Sequence, residues 1–569
     1  MKSQFFIDKV ERLKVATPSD WWRNIKSLCG WSQNDSVCFE NISNADGSTI
    51  DVNMLPNEFN NFLLSITDNI PSLDTQRLND IKNSFCNEPV PDKFIVSEQS
   101  VYAALKRSKL RVSVSDEFLT NRVLVELAEV LSGPICCLIN TSIRQGYVPH
   151  QWKFSRIRPL PKINPPVSLC TDLRPISITS SVGKLAESFI RNYFNEHFSA
   201  MIDQDQYGCT SNRSTTHALL KFSHVIFKAS DNSSNFIRIV FLDFLKAFDL
   251  VDSNVLMSKF LHYDFPPHVS AWSLSFLSER QQCVKINDRI SNIVTTHAGT
   301  PQGTVSGPND FKLLINDLTF TLPYVKYVDD TTYISVSEDP LDDSLQSESN
   351  NLLDWCEING MKPNPKKTKE MIIYFGKSKD ISAVPKLKFG DVEIERVESI
   401  KLLGVFFSSN LSWNLHVAFL LSKVSKRFFI IHQLVKIGVT SSEIITIYCS
   451  IIRSVLEYAC PVWHSGLTSS ESKELERVQK RVLRIIFPFL SYKQALLTAK
   501  LDRLDVRREN LVRSTFQEIT NPSHVLYNLL PPIKQKNYCT RSDYPFELPK
   551  VKTCRYSRSF IPYAIRRKY

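Results

Sequence analysis

Two apolar stretches, far apart in the chain, each run into acidic residues where a strand is expected to end. Residues 235–244, NFIRIVFLDF, form a β-branched and aromatic run that predicts a buried strand ending at Asp243. Residues 324–336, YVKYVDDTTYISV, predict two strands around a tight turn at Asp329 and Asp330. If the two segments are neighbours in one sheet, Asp243 and Asp329 converge at its edge.

The adjacent carboxylates Asp329 and Asp330 have two interpretations when they are taken alone. Aspartate favours turn positions, so an ordinary turn is the first. Adjacent carboxylates also repel one another, and a cation between them removes that repulsion. Hard cations such as Mg²⁺ prefer carboxylate oxygens, and two of them about 3.5–4 Å apart clamp the attacking and leaving oxygens of a phosphoryl transfer. The second interpretation is therefore a metal site for phosphoryl transfer.

A cluster of glycines lies between the two acidic segments. Gly299, Gly303 and Gly307 are three of only 15 glycines in the chain, and they fall within GTPQGTVSG. Glycine lets the backbone approach a ligand closely or adopt a positive φ. A loop of this kind, leading into a helix predicted over 306–318, suits contact with a base pair or a sugar. A plain loop with a helix cap at Ser306 is the alternative.

The rest of the pattern mixes short strands and helices up to about residue 410 and is helical beyond it. Two helices are predicted over 121–149, separated near Gly133 and Pro134. This order of elements predicts an α+β core followed by an all-helical region.

Positive charge is concentrated in one part of this 569-residue chain, whose net charge is +11. Residues 401–569 hold 27 Lys and Arg against 11 Asp and Glu, whereas the remainder holds 42 against 47. A basic C-terminal third attracts polyanions, and a basic solvated face is the alternative. Hydrophobic residues make up 43% of the chain, which excludes a mainly disordered protein.

Targeting signals and cysteine usage bear on the compartment. No run reaches the roughly 18 apolar residues of a membrane span, and charges interrupt the apolar residues at the N-terminus, so neither a transmembrane segment nor a secretory signal is expected. The thirteen cysteines are scattered and form no CxxC pair. We therefore expect an intracellular protein, nuclear or cytoplasmic, with mostly reduced thiols.

Taken together, the motifs resemble those of the reverse transcriptases of non-LTR (LINE-type, jockey-like) retrotransposons. The resemblance covers residues 150–410 well and extends more loosely to about 490. FLDFLKAFD (241–249) is similar to the first catalytic motif of that family, GTPQGTVSGPNDFKLLIND (299–317) to its glycine-glutamine motif, and YVDDT (327–331) to its YxDD box.

Three further segments carry the same resemblance. Residues 156–178 resemble the fingers motifs, 359–373 the lysine-rich motif and 402–407 the primer-grip motif. The order and spacing of six motifs are highly specific. One departure lies in the box itself, where Val328 occupies a position at which alanine is usual in LINE-type elements.

The resemblance implies a right-hand polymerase, with fingers, palm and thumb, that ends in a helical basic C-terminal region. The expected division of the chain is 1–90 as an N-terminal extension of unknown role, 91–235 as N-terminal helices and fingers, 236–410 as the palm with the catalytic carboxylates, and 411–569 as the helical thumb and basic C-terminal region.

The resemblance also assigns the catalytic and metal-binding groups. Asp243 and Asp329 would bind two Mg²⁺ ions, with Asp330 supporting them and the backbone carbonyl of Phe244 as a further ligand. Mn²⁺ is a possible substitute for Mg²⁺.

Substrate contacts follow from the same motifs. Lys162 and Arg174 would hold the triphosphate of the incoming nucleotide, and Gln302 and Gly303 would border the nascent base pair. Phe248 matches the steric gate of the family, an aromatic side chain that excludes a ribose 2′-OH. The alternatives are solvated surface charge for the two cations and simple core packing for Phe248.

The predicted function is an RNA-directed DNA polymerase that extends a primer 3′-OH by two-metal phosphoryl transfer. Its expected partners are an RNA template, a DNA primer or RNA–DNA hybrid, and dNTPs, with no membrane. One alternative is a catalytically inactive retroelement remnant that binds nucleic acid. Another is an RNA-dependent RNA polymerase, against which Phe248 argues.

Overall fold

A computed structural model describes residues 20–22, 24–25, 39–44, 46–85, 88–108, 120–376, 381–533 and 545–569. Before the central sheet, the chain forms helices α1–α8 and strands β1 and β2. The helices span Leu55–Ser65, Thr75–Asn83, Glu98–Arg107, Asn121–Glu126, Ala128–Gln145, His150–Lys153, Ser181–Phe198 and Thr215–Ala229, and the strands span Ser155–Pro161 and Leu173–Ile178.

The middle of the chain contributes most of the strands. Strands β3–β14 span Phe236–Leu242, Arg280–Ile286, Arg289–Ile290, Val294–Thr296, Tyr324–Tyr327, Asp330–Ser337, Lys369–Ile373, Lys388–Phe389, Val392–Glu393, Glu395–Arg396, Ser399–Leu402 and Val405–Ser408. Helices α9–α12, interspersed among them, span Ser253–His262, Pro267–Leu277, Gly307–Leu314 and Ser344–Ile358.

The remainder of the described chain is helical. Helices α13–α22 span Asn414–Ser425, Phe428–Lys436, Ser441–Tyr448, Ser454–Glu457, Cys460–Trp463, Ser469–Ile486, Tyr492–Ala499, Leu504–Ile519, Cys554–Ser557 and Phe560–Arg566. The fold class predicted from the sequence, a mixed α+β core followed by helices, is confirmed.

The central sheet has the strand order β12-β9-β3-β8-β7. Strand β3 lies in its middle, antiparallel to both β8 and β9, and all seven of its residues are buried. Burial on both faces explains why its sequence is an apolar run without alternation. Arg238, the one charged residue in β3, makes a buried ion pair with Glu370 at 2.7 Å.

A second sheet has the order β2-β1-β4-β5, with β6 also paired to β4. It joins β1 and β2 of the predicted fingers to β4, β5 and β6, which lie within the residues predicted as palm. Helix α1 packs against β4, and Phe59 of that helix shares an apolar cluster with Leu169 and Val284. Residues of the expected N-terminal extension are therefore part of the packing of this sheet.

The C-terminal helices and the central sheet share one apolar core. Ile237 and Ile239 of β3 belong to the same buried cluster as Tyr448, Trp463 and Phe516. This continuity fixes the helical region against one face of the sheet, while the N-terminal helices cover Val240 and Leu242 on the other face.

One helix boundary differs from the prediction. The break expected near Gly133 and Pro134 is wrong, because the chain breaks at Leu127 and Pro134 lies inside α5. Helix α5 buries Ile135, Ile139 and further apolar residues of the same face. This packing outweighs the local cost of proline, since helices in proteins are stabilised mainly by an amphipathic face.

Within the described residues, a single helix long and apolar enough to span a membrane is absent. The bent pair formed by Ser441–Glu457 and Cys460–Gly466 meets the length and composition criteria jointly, with a bend of 41°. Ile447, Tyr448 and Ile452 of this pair are buried in the protein core.

Candidate active site

The turn between β7 and β8 carries two of the predicted catalytic carboxylates. We call residues 327–330 the acidic turn. Tyr327 pairs with Asp330 across the antiparallel ladder, and Val328 and Asp329 form the tip. Val328 has φ +59°. A β-branched residue in this left-handed region is a genuine outlier, so the surrounding structure has to hold the turn.

Gln206 is the side chain that holds this strained tip. Its Oε1 accepts hydrogen bonds from the backbone N–H groups of Val328, at 3.0 Å, and Gly208, at 2.8 Å. Gln206 is 2% exposed, so both bonds are shielded from water. The segment that carries it is fixed along β7 by two backbone bonds, from Tyr207 N–H to the carbonyl of Lys326 and from Lys326 N–H to the carbonyl of Asp205, both 2.8 Å.

Gly208 lies directly beneath the acidic turn. A Cβ at this position would lie 2.5 Å from both the backbone nitrogen and the Cγ2 atom of Val328. Only glycine permits so close an approach of the two backbones. The turn therefore rests on a surface with no room for a side chain.

Strand register brings Asp243 to the acidic turn. Leu242 pairs with Thr331, so Asp243, the next residue of one strand, lies across from Asp330, the preceding residue of the antiparallel partner. The backbone of Asp243 is fixed on its other side, because its N–H donates to Thr368 Oγ1 at 3.2 Å and its carbonyl accepts from Asn364 N–H at 2.7 Å. The structure thus brings together the three carboxylates that the sequence predicted.

Burial and the negative charge of neighbouring carboxylates both raise the pKa values of Asp329 and Asp330. Loss of surrounding water raises the pKa of Asp329, with a smaller contribution from the negative charge of Asp243, while Arg174 opposes the rise. The same loss of water, followed by the charges of Asp329 and Asp243, raises the pKa of Asp330 to about 6, although its surface is open to solvent. A cation at this position would relieve the repulsion.

Basic and amide groups face the carboxylates. Asn364 Nδ2 donates to Asp243 Oδ2 at 3.2 Å, and Lys367 Nζ lies 3.9 Å from the same oxygen. Arg174 of β2 pairs with Leu160 of β1. Burial, then the positive charges of Lys367 and Arg174, lowers the pKa of Lys162. Three cations are therefore near one another beside the acidic turn.

The loop that carries Gly299, Gly303 and Gly307, which we call the glycine loop, connects the second sheet to the first catalytic motif. The Gln302 carbonyl accepts from Ser177 N–H of β2 at 2.7 Å, and Gln302 Nε2 donates to Asp249 Oδ1 at 3.2 Å. Gly303 has φ +105°, and a Cβ there would lie 3.1 Å from the carbonyl oxygen of Ser177. Gln302 and Gly303 thus lie between β2 and the first catalytic motif.

Glu187 anchors the far end of the same loop. Its Oε2 accepts from the backbone N–H groups of Val305, at 2.8 Å, and Ser306, at 3.1 Å, and from the Ser306 hydroxyl at 3.0 Å. Glu187 is 1% exposed, and burial raises its pKa while these donors and Arg280 oppose the rise. Ser306 is the N-cap residue of α11, but its hydroxyl donates to Glu187 and forms no side-chain cap for the helix.

The two predicted aromatic positions differ in their surroundings. Phe244 is 6% exposed, and its carbonyl accepts no hydrogen bond from the residues that the structure describes, which leaves it available as a ligand. Phe248 is half-buried and stacks on Phe311, with ring centroids 4.8 Å apart. Its ring is partly exposed and packs against the buried apolar cluster that contains Phe311.

Four residues of this site were not predicted: Gln206, Asn364, Lys367 and Glu187. Asn364 and Lys367 lie in the segment recognised as the lysine-rich motif, which is a signal that could have found them. Gln206 and Glu187 act through their side chains on backbone more than 100 residues away, and no local pattern marks them.

In the described parts of the chain, no three or more His, Cys, Asp or Glu side chains form a ready-made metal cluster. This does not conflict with a magnesium site. Mg²⁺ is usually held in polymerase sites by one or two carboxylates together with substrate phosphates and water.

Part of the chain matches a known protein family. Residues 160–407 match the reverse transcriptase (RNA-dependent DNA polymerase) family. The part of the chain that carries the predicted motifs is therefore similar in sequence to reverse transcriptases.

Three similar proteins come from mobile elements of Drosophila melanogaster. The chain is 26% identical to the probable RNA-directed DNA polymerase from transposon X-element, over 62% of this chain and 39% of the relative. It is 24% identical to the probable RNA-directed DNA polymerase from transposon BS, over 68% and 44%. It is also 24% identical to the RNA-directed DNA polymerase from mobile element jockey, over 69% and 44%.

The resemblance to jockey-like, non-LTR reverse transcriptases is thereby confirmed, and the chain spans about two fifths of the length of these relatives. Among solved structures, telomerase of Candida tropicalis matches 47% of this chain and 55% of its own, at 12% identity and a TM-score of 0.33, a value too low to support an argument.

Proposed function

We propose that this chain is an RNA-directed DNA polymerase, in which a primer 3′-OH attacks the α-phosphate of a dNTP and pyrophosphate leaves. An RNA template and a DNA primer or RNA–DNA hybrid are the other substrates. The register of β3 against β8 is the observation that carries the proposal, because it places Asp243 across from Asp330 and next to Asp329. The family match supports the same chemistry.

The residues of the acidic turn fit a pair of divalent cations. Asp243 and Asp329 would be the carboxylate ligands, with Asp330 in support and the free carbonyl of Phe244 as a further oxygen. The raised pKa of Asp330 reflects an excess of negative charge that bound cations would offset. When bound, two Mg²⁺ ions, or Mn²⁺ in their place, would supply charge neutralisation and a more acidic attacking hydroxyl.

Nearby cations would hold the triphosphate. Arg174 can bind phosphate oxygens in a bidentate manner, whereas Lys162 acts as a point charge. Lys367, 3.9 Å from Asp243, is a third candidate. Positioning the α-phosphate in line with the 3′-OH is the main task of these groups, because phosphoryl transfer depends on geometry and electrostatics.

The sugar and the base pair would meet the other two features of the site. The exposed part of the Phe248 ring, held by its stack on Phe311, would exclude a 2′-OH. Gln302 and Gly303 would border the nascent base pair. The positive φ of Gly303 favours glycine, so the loop carries no side chain at this position.

Primer extension on a homopolymeric RNA template tests this proposal. The wild-type chain should incorporate dNTPs only when Mg²⁺ or Mn²⁺ is present. Asp329→Asn should abolish extension while binding of an RNA–DNA hybrid stays largely intact, because the amide keeps the shape of the side chain but loses the negative charge.

Asp391→Asn, at an exposed hairpin turn outside the site, is the matched control and should extend primers normally. Equal loss of extension and hybrid binding in a folded Asp329→Asn variant would contradict the assignment. A wild-type chain that binds the hybrid but extends nothing would favour the inactive remnant instead.

A further inference from the structure

A cationic stretch of the C-terminal region lies outside the candidate active site. Residues 477–500, the second half of α18, a short loop and α19, contain six Lys or Arg and no Asp or Glu. All six are exposed. On α18, cations recur three and four positions apart, so they lie on one side of the helix. We call these six residues the cationic face: Arg477, Lys480, Arg481, Arg484, Lys493 and Lys500.

The cationic face has no acidic partner among the residues that the structure describes. Lys480 and Arg481 instead lie over aromatic rings, 5.2 Å from the centroid of Tyr492 and 4.4 Å from that of Phe428. Helix α20 of the same region is different, because Arg503 pairs with Asp505 at 2.7 Å. The positive charge of the cationic face is thus left for an external anion.

An exposed aromatic side chain lies in the loop between the two helices that carry the cationic face. Phe489, in the loop between α18 and α19, is 98% exposed, and Leu497 on α19 is 73% exposed. The loop is ordered, since Leu490 N–H donates to the Phe487 carbonyl at 3.3 Å and Ser491 forms a capping box for α19. The fold therefore presents an exposed aromatic ring on an ordered loop between α18 and α19, the two helices that carry the cationic face.

We propose that this surface binds single-stranded RNA, with Phe489 stacked on a base and the cationic face contacting phosphates. Aromatic platforms combined with basic grooves bind single strands without sequence preference, because every base offers a planar face. A duplex hides those faces between stacked pairs and would leave Phe489 without a partner. The choice of RNA over DNA rests on the proposed function, in which the strand that is copied is RNA.

Fluorescence anisotropy with the full chain, without dNTP or divalent metal, tests the stacking contact. The probes are a labelled oligo(U), the matching oligo(dT) and an RNA–DNA hybrid of equal length. Phe489→Ala should weaken oligo(U) binding by about tenfold, as expected for one stacked base. Phe489→Trp should retain binding, and the hybrid should be affected much less.

Salt dependence tests the phosphate contacts. Replacing Arg481 and Arg484 together by Gln should reduce the slope of log K against log salt for oligo(U) by about 1.4, or roughly 0.7 per lost contact. Arg503→Gln, an exposed but paired cation on the same surface region, is the control and should leave the slope unchanged.

Three results would overturn the proposal: unchanged oligo(U) binding by Phe489→Ala, an equal loss on the hybrid, or tighter binding of oligo(dT) than of oligo(U). Failure of the proposed polymerase function would appear separately, as absent primer extension, because the binding assay contains no substrate for synthesis.

Discussion

The acidic turn and the cationic face both concentrate charge of one sign, but they hold it in different ways. In the acidic turn, the backbone is fixed by Gln206 and the closely packed Gly208, and the strand register brings Asp243 across from Asp330. In the cationic face, the charges sit at the ends of long side chains along an exposed helix surface. Carboxylates held by a rigid backbone suit a small, highly charged ligand such as a metal ion. Flexible Lys and Arg side chains spread along a helix suit an extended polyanion.

This difference predicts how substitutions act in each region. A change in the acidic turn or its supports should alter catalysis by a large factor, since positions must be held within a fraction of an ångström. A change in the cationic face should act in small, roughly additive steps, because each cation contributes separately to phosphate binding. Substitutions in and around the acidic turn test the first expectation, and the joint replacement of Arg481 and Arg484 tests the second.

Among substitutions that leave the carboxylates in place, the largest effect is expected from Arg174, the cation beside them. Arg174→Gln should lower kcat/KM for dNTP by about 100-fold, mostly through KM, because a charge-assisted, bidentate phosphate contact is lost. Steady-state primer extension with varied dNTP measures it. Arg289→Gln, on the opposite edge strand β5 of the same sheet, should change neither constant; an equal effect there would mean that only net charge matters.

The next effect in size is expected from Gln206, the side chain that supports the acidic turn. Gln206→Ala should lower kcat by about tenfold with little change in KM, because Val328 loses the hydrogen bond that holds its positive φ. Val328→Gly in the same chain should restore part of the rate, since glycine adopts this conformation without strain.

The exposed neighbour Gln204 provides the control for that prediction, and Gln204→Ala should extend primers normally. Loss of rate in Gln206→Ala with no recovery by Val328→Gly would show that Gln206 matters for folding of the region and not for the turn itself.

Sugar selection is a further test of the rigid site. Phe248→Ala should reduce the preference for dNTP over rNTP by about tenfold, because the ring that would meet the 2′-OH is removed. Competition between dNTP and rNTP in single-nucleotide extension measures the ratio. Phe248→Tyr keeps the ring and should keep the preference; relaxed selection in both variants would exclude this role for the ring.

The last prediction concerns stability and not activity, in the helices that support the cationic face. His416 of α13 is fully buried, and burial lowers its pKa to about 4. The unfolded chain binds a proton near pH 6.5 and the folded chain does not, so stability is lost as pH falls from about 6.5 toward 4. This one group should destabilise the fold by about 2 kcal/mol between pH 7 and pH 5.

Thermal melting followed by circular dichroism at the two pH values measures that loss. His416→Gln should show a smaller drop in Tm than the wild-type chain, with the remaining drop due to other buried histidines such as His224, whose pKa is also lowered by burial to about 4. An unchanged drop would mean that His416 is protonated in the folded state.

Much of the central sheet could be predicted because its signals are local. The run ending at Asp243 and the paired strands around Asp329 follow from composition and turn chemistry alone, and the antiparallel register then fixes their convergence. Gly390 and Asp391 are a local hairpin signal of the same kind, and β10 and β11 form a hairpin there.

The supports of the site could not be predicted, since they depend on distant contacts. Gln206 is a polar residue in a polar segment, and only the fold shows that it is buried against the acidic turn. The positive φ of Val328 is likewise imposed by tertiary structure, against the preference of valine. Pro134 is a further case in which tertiary structure overrides a local preference. Proline usually breaks a helix, but the packing of α5 keeps Pro134 inside it.

Anomalous scattering from Mn²⁺ tests the central claim most directly. Crystals of the full chain with an RNA template, a chain-terminated primer and a dNTP should show Mn²⁺ bound by the carboxylates of Asp243 and Asp329, with oxygen ligands at about 2.0–2.2 Å. Nucleotide bound in the cleft with no Mn²⁺ on either carboxylate would contradict the account.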